Sequence, residues 1–409
     1  MPIDSVGSAP ATPAPPASAE PAPEPARSVA QSTGPTSAEP ERTAPAEPAG
    51  CAPTDADFWA GRRVLLTGHT GFKGAWLSLW LQQLGARVSG LAPGAPTSPS
   101  LYELARVGEG MREIVADVRD ARAVRDALAR ERPEVVLHLA AQPLVRLSHR
   151  EPALTYEVNV MGTVNVLDAV RLAGENVRAV VVVTSDKCYE NTGGGRRFVE
   201  GDPLGGADPY SSSKACAELV TAAYRSSFFA TGPRLASSRA GNVIGGGDWG
   251  ADRLIPDIVR AVAAGEPVRV RNPNAVRPWQ HVLNPLGGYL ALARALHCEA
   301  EAGGGELAGA WNFGPPAADA RTVGWMVQRL AEHWDGALRW ESDPNPGPPE
   351  AGHLALDSSR AERMLGWCPA WNLEQALRSV VEWHRALWDG ADARQTTVDQ
   401  IGQFDQVAR

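Results

Sequence analysis

Residues 62–74, Arg62-Arg63-Val64-Leu65-Leu66-Thr67-Gly68-His69-Thr70-Gly71-Phe72-Lys73-Gly74, decide the fold. A short run over 63–67, mostly apolar, passes into glycines at the spacing GxxGxxG and then into an amphipathic stretch reaching about residue 84. That pattern reads as strand, tight turn and helix. Glycine lets the backbone turn sharply and approach a pyrophosphate, while free amides and the dipole at a helix N-terminus stabilise its charge. A glycine turn alone is often just a turn, but its placement between strand and helix favours a nucleotide site.

Working outward, further strands are expected over 86–91, 113–116, 135–139 and 179–184, alternating with helices from Ala121 and over 156–173. The near-continuous valines of 179–184 suit a strand covered on both faces. The expectation is an α/β fold, a Rossmann-like doubly wound parallel sheet over 56–240. After residue 240 glycine- and proline-rich connections loosen the rhythm. Helices are expected over 255–264, 289–301, 323–333 and 373–388, with short strands near Val268 and Trp311. This gives a smaller C-terminal substrate-binding lobe over 241–390 and a C-terminal tail over 391–409.

Residues 1–55 are rich in Ala, Pro, Ser and Glu, with almost no large apolar side chain, and are expected to be disordered. Nothing has the form of a secretory signal or the length of a membrane span, so a cytoplasmic protein is expected. A net charge of −8 and a pI near 5.6 argue against nucleic acid as partner. Five cysteines, odd in number and without CxxC spacing, read as reduced thiols, and no metal site is expected.

Two constellations carry chemistry. Tyr210 and Lys214 form YxxxK, and four-residue spacing puts both on one face of a helix. A tyrosine hydroxyl titrates near ~10 in water, so base work at neutral pH needs a nearby cation to stabilise the phenolate. Directly after the fifth strand comes Thr184-Ser185-Asp186-Lys187-Cys188-Tyr189, at the carboxyl edge where open α/β sheets bind ligands. A plain helix-capping segment is the alternative there. The second strand ends Ser89-Gly90-Leu91-Ala92-Pro93, without the acid that usually holds an adenosine ribose; Asp117 is the substitute candidate. Lys73 reads equally as a phosphate neutraliser or as a solvent-facing helix lysine.

The segments TGHTGFKGAWLSLWL, HLAAQPLVRLSHREP, TSDKCYEN, DPYSSSKACAE, RAGNVIGGGDW, RLIPDIVR and RNPNAVRPWQHV together resemble the CDP-glucose 4,6-dehydratases, from about Phe58 to about Trp388. These are extended short-chain dehydrogenase/reductases of the NAD-dependent epimerase/dehydratase type. Relatives acting on dTDP-glucose carry Thr-Asp-Glu where this chain has Ser185-Asp186-Lys187, the lysine-bearing form associated with CDP-glucose.

The resemblance implies NAD as cofactor, held by Gly68, Thr70, Gly71, Phe72, Lys73, Gly74, Asp117, Val118, Leu139, Ala140 and Ala141 together with Tyr210 and Lys214. It implies CDP-glucose as substrate, with Gln142, Asn242, Arg253, Arg277 and His281 around it and Trp279 beside them. Without it, Arg253 reads as a helix start, Arg277 as a loop charge, and Trp279 and His281 as packed core. The implied reaction oxidises C4, eliminates water across C5 and C6, and returns hydride to C6. Tyr210 would take the C4 hydroxyl proton, Ser185 polarise that oxygen, Asp186 be the acid at C6 and Lys187 the base at C5. A homodimer or higher homo-oligomer is the family expectation. A sugar-nucleotide 4-epimerase and a noncatalytic NAD-binding protein are the competing readings; Asp186-Lys187 favours the dehydratase over the first, and retention of both constellations disfavours the second.

Overall fold

The computed structural model describes residues 55–344 and 353–408. The segment expected to be disordered lies outside the described residues except for Asp55, whose side chain caps the helix Ala56–Trp59. Six strands follow in chain order: β1 (Arg63–Thr67), β2 (Arg87–Ala92), β3 (Arg112–Val115), β4 (Val135–His138), β5 (Ala179–Val183) and β6 (Arg234–Ala240). With strand Ala310–Phe313 they form a seven-stranded sheet in the order Ala310–Phe313, β6, β5, β4, β1, β2, β3, every pairing parallel. This is the expected α/β, Rossmann-like doubly wound sheet. The order reverses between β1 and β4, and the crevice above that point is where such sheets bind ligands.

Both faces are covered. Trp76, Leu77 and Trp80 of helix Phe72–Gln83 and Leu286, Tyr289 and Leu290 of helix Leu283–Ala302 pack on one side. Val124 and Leu128 of helix Ala121–Glu131 and Val166, Leu167 and Val170 of helix Gly162–Leu172 pack on the other. Successive strand residues alternate sides, so Val181 joins the first cluster and Val180 and Val182 the second. Full burial of each such valine contributes roughly 1.5–3 kcal/mol, an upper bound. A third cluster, built from Ile255, Ile258, Trp279, Met326, Leu330 and Leu377, packs helices Leu254–Ala264, Val323–His333 and Leu373–Trp388 together, whereas helix Leu283–Ala302 and strand Ala310–Phe313 belong to the main sheet and its cover.

Four elements differ from the sequence expectation. Strand β6 escapes an apolar-run search because its sequence is Arg-Leu-Ala-Ser-Ser-Arg-Ala, yet all seven residues are buried. The expected single helix over 156–173 is two, Pro152–Tyr156 and Gly162–Leu172, joined by a π-helical turn Glu157–Met161. There Asn159 brackets the backbone of Gln142, accepting from its N–H at 2.8 Å and donating to its carbonyl at 3.1 Å. The helix expected from residue 289 begins at Leu283 instead: Pro285 falls in its first turn, where no intrahelical N–H bond is lost. Gly288 is in that helix because a Cβ there would sit 2.3 Å from the Phe313 ring. Residues after Trp388, expected as a tail, form helix Ala393–Ala408 with Ile401 and Phe404 buried.

The Phe404 ring stands edge-on to both Trp80 and Trp371, with centroids 5.5 Å away in each case. Phe404→Ala is expected to lose about 3–5 kcal/mol of unfolding free energy. In urea denaturation the midpoint falls at unchanged slope; a loss below about 1 kcal/mol would mean that this helix is not part of the core.

Candidate functional site

A cleft of about 850 Å³ opens above the carboxyl ends of β1, β4, β5 and β6. Its first wall is the glycine turn. Gly68 has φ 76° and lies so close to the segment after β4 that a Cβ would be 2.8 Å from the Ala140 Cα; a Cβ on Gly74 would be 2.1 Å from the Gly68 carbonyl oxygen. Helix Phe72–Gln83 then starts from Gly71 with no side-chain cap, so its first amides face the cleft uncapped. Thr70 donates to the Gly94 carbonyl at 2.6 Å, tying the turn to the exit of β2. Leu139, Ala140 and Ala141 line the opposite wall. A backbone cradle of this shape fits a dinucleotide pyrophosphate.

At the adenosine end, Asp117 and Val118 line the cleft. Asp117 is bonded to the Arg119 guanidinium and backbone N–H, both at 2.9 Å, and the guanidinium bond foremost holds its carboxyl below the usual range. His69 turns away from the cleft, buried against Tyr102 with Nε2 3.3 Å from Glu113.

The second wall is the end of β5. There the backbone makes a 3-10 turn, Asp186–Cys188, capped by Ser185, whose Oγ accepts from the Lys187 N–H at 3.2 Å. The Ser185 hydroxyl donates to Asp186 Oδ1 at 3.1 Å and also hydrogen-bonds to Tyr210. Asp186 is 2% exposed, and its Oδ2 has no hydrogen-bond partner among the described residues. Burial raises its pKa, against the pull of Lys187, Arg277 and Lys73. Tyr210 and Lys214 come from helix Pro209–Phe228 and face the same cleft one turn apart. Burial pushes the Tyr210 phenol up to about 12, opposed by the Ser185 bond, and Lys214 down to about 8. Lys214 Nζ donates to the Val183 carbonyl at 3.3 Å.

Lys73 is no solvent-facing lysine. Its Nζ donates to the Tyr289 hydroxyl at 3.3 Å and lies 5.6 Å from that ring's centroid. Burial, helped by the Lys214 charge, brings its pKa down to about 7. The chain holds only three lysines among 39 basic residues, Lys73, Lys187 and Lys214, and all three line this cleft. That signal lies in the sequence: a protein that meets every other need for positive charge with arginine keeps lysine where a compact charge or a releasable proton is useful.

Of the residues expected around a substrate, Gln142, Asn242, Arg253, Arg277 and Trp279 line the cleft. Gln142 spends its amide locally, donating to the Leu144 carbonyl and the Thr155 hydroxyl. Arg253 pairs with Asp248 at 3.0 Å. His281 stands apart: it is fully buried between Trp76 and Trp371, accepts from the Leu283 N–H at 3.3 Å, and is not part of the cleft wall. Two further arginines line the mouth, Arg146 and Arg271, which meet at Asp252 with separations of 3.3 and 3.7 Å. Asp252 holds a left-handed backbone, φ 60°, to do so. Nothing in sequence spacing marked these three, because they converge from separate segments.

Comparison with known proteins agrees with this geometry. The family model described as GDP-mannose 4,6 dehydratase matches residues 65–380. The CDP-glucose 4,6-dehydratase of Salmonella typhimurium (strain LT2) is 50% identical over 344 residues, covering 83% of this chain and 94% of that protein. The UDP-glucose 4-epimerase of Mycolicibacterium smegmatis is 29% identical over 329 residues, covering 79% of this chain and 98% of that protein. The crystal structure of a Thermus thermophilus UDP-glucose 4-epimerase, a complex with NAD, superimposes with a TM-score of 0.67 at 28% identity, covering 79% of this chain and 99% of that one. A glycine cradle, a Tyr210-Lys214 pair and a Ser185-Asp186-Lys187 turn on one parallel sheet thus coincide with a match over most of the chain, which belongs to the GDP-mannose 4,6 dehydratase family.

Proposed function

We propose that this chain is a hydro-lyase that converts CDP-glucose to CDP-4-keto-6-deoxyglucose with NAD as a cofactor that is unchanged overall. The observation that carries the reading is Asp186: a buried carboxyl with one oxygen unpartnered among the described residues, held beside Tyr210 by Ser185. Burial favours its protonated form, so it suits an acid that delivers a proton to a departing hydroxyl. A 4-epimerase has no hydroxyl to expel. The 50% identity to a CDP-glucose 4,6-dehydratase supports the same choice.

The uncapped helix start behind Gly71 and the turn Gly68–Gly74 would hold the cofactor pyrophosphate, with Asp117 and Val118 toward the adenosine and Tyr210 and Lys214 toward the nicotinamide. NAD bound there supplies a hydride acceptor and afterwards the donor of the same hydride. Tyr210 takes the proton of the C4 hydroxyl, with the Lys214 ammonium stabilising its phenolate and Ser185 holding the C4 oxygen. Oxidation at C4 makes the C5 hydrogen acidic; Lys187 removes it, and Asp186 protonates the C6 hydroxyl as it leaves as water. Arg253 and Arg277, joined by Arg146 and Arg271, give the cleft the forked donors that a diphosphate takes up.

The working unit we propose is a homodimer in the cytoplasm, where nucleotide sugars serve as substrates. Tyr156 at the end of helix Pro152–Tyr156, Met161 at the end of the π-helical turn before helix Gly162–Leu172, and Leu219 on helix Pro209–Phe228 are 38%, 49% and 58% exposed. Large apolar groups gathered on adjacent helices suit burial against a second copy.

Four measurements test these statements. Purified protein is expected to remove water from CDP-glucose in preference to the dTDP-, UDP- and GDP-sugars, followed by mass spectrometry; failure with all four while NAD is bound would return the chain to the epimerase or noncatalytic readings. Asp186→Asn is expected to slow elimination by about 10²-fold or more while C4 oxidation persists, and Lys187→Met to abolish solvent deuterium entry at C5. Retention of full turnover by either variant removes that residue's role. Leu219→Arg combined with Met161→Arg is expected to give monomers in light scattering, and an unchanged mass would place the interface elsewhere.

A further inference from the structure

Behind the catalytic turn lies a carboxylate that the chemistry above does not use. Glu218 stands one helical turn beyond Lys214 on helix Pro209–Phe228 and is 3% exposed. Its Oε1 accepts from the hydroxyl of Thr184, the residue joining β5 to Ser185. Its Oε2 accepts from Ser237 Oγ and from the Arg239 guanidinium of β6, each at 2.7 Å. Arg239 continues outward, donating to the Tyr189 hydroxyl at 2.8 Å and the Glu200 carbonyl at 3.0 Å. Tyr189 in turn donates to Asn312 of strand Ala310–Phe313 at 2.7 Å.

We propose that Glu218 is a positioning residue for the reaction: one buried carboxylate ties the strand end bearing Ser185, Asp186 and Lys187 to the helix bearing Tyr210 and Lys214, and sets a fixed negative charge facing the Lys214 ammonium. The proposal rests on the reading of Tyr210 and Lys214 as the proton-handling pair. A buried ion pair is often no more stabilising than apolar residues of the same volume, so the pair's place directly behind the site needs another reason. Charge supplies one. Burial lowers the Lys214 pKa to about 8, and Glu218 is the foremost group opposing that fall. The other charged or titratable groups that interact with Lys214 are Cys188 on the catalytic turn, His138 on β4 and Lys73 on the first helix of the cofactor site. Glu218 itself keeps its charge: burial would raise its pKa, but Arg239 and the hydrogen bonds from Arg239, Thr184 and Ser237 hold it low.

Without the carboxylate, the Lys214 proton is lost at lower pH, and Tyr210 loses the cation that stabilises its phenolate. Because the chain has three lysines, protein labelled with ¹³C at lysine Cε gives three lysine signals, assignable with Lys73→Arg and Lys187→Arg. In Glu218→Gln the Lys214 midpoint is expected to fall by about one pH unit or more, a tenfold change in proton affinity. With it, kcat falls about tenfold or more at a KM within about twofold. Thr184→Val, which cuts the tie and keeps the charge, lowers kcat with the Lys214 midpoint unmoved. If Glu218→Gln does not fold, Glu218→Met with Arg239→Met removes the buried Glu218–Arg239 pair as a unit, and the Lys214 signal must still move. An unmoved Lys214 midpoint in the folded variants, or an unchanged kcat, overturns the proposal. The titration needs no substrate, so it stands or falls separately from the choice of CDP-glucose.

Discussion

Both faces of the parallel sheet are sealed by helices, and that constraint organises the rest of the molecule. A strand covered on both sides has no exposed face on which to present a polar group, so β5 is alanine and valine throughout and function is pushed to where the strands stop. At the carboxyl edge the backbone leaves the sheet with carbonyls and amides unpaired and with room for side chains. The glycine turn after β1, the Leu139–Gln142 segment after β4 and the Ser185–Lys187 turn after β5 occupy that edge. Their convergence is a matter of topology: the reversal of strand order between β1 and β4 leaves the crevice that they line.

Polar side chains do enter the sheet, among them Thr67 of β1 and His138 of β4, and β6 carries Ser237 and Arg239 into the interior. The latter two are tolerated because each polar atom that reaches Glu218 finds a partner there, so the group of charges is neutral as a unit and largely hydrogen-bonded. The same carboxylate touches the strand before the catalytic turn and the helix behind it. A shift of one against the other would break a buried charged hydrogen bond, an expensive event in a low-dielectric interior. The side chains proposed for catalysis therefore sit on a frame tied by polar contacts as well as by the close-packed apolar groups of β5.

Much of this was legible in the chain. The strand–turn–helix over 63–84 announces itself because the apolar run, the glycine spacing and the periodic helix agree with one another. Tyr210 and Lys214 declare a shared face by their spacing, and Asp186 its place by following a valine-rich strand. What stayed hidden depended on partners distant in sequence. The polar string of β6 looks like a loop until Glu218 is known to face it. The π-helical turn exists because Asn159 reaches the backbone of Gln142, which no local pattern encodes. Helix Ala393–Ala408 has a weak apolar stripe and gains its order from the rings of Trp80 and Trp371. His281 sits beside residues that line the cleft, but its own side chain points to the core, a distinction that only three-dimensional packing can make.

The distribution of lysine has a consequence for the chemistry of the molecule's surface. An amine-directed acylating or carbonyl reagent finds side-chain targets only at Lys73, Lys187 and Lys214, all within the cleft. Guanidinium groups, which cover the remaining basic positions, stay protonated and do not compete for it. Apart from the α-amine, such a reagent meets no amine outside the cleft, so once the exposed thiols of Cys298 and Cys368 are blocked the cleft can be tagged or footprinted in the unmutated protein with an ordinary lysine reagent.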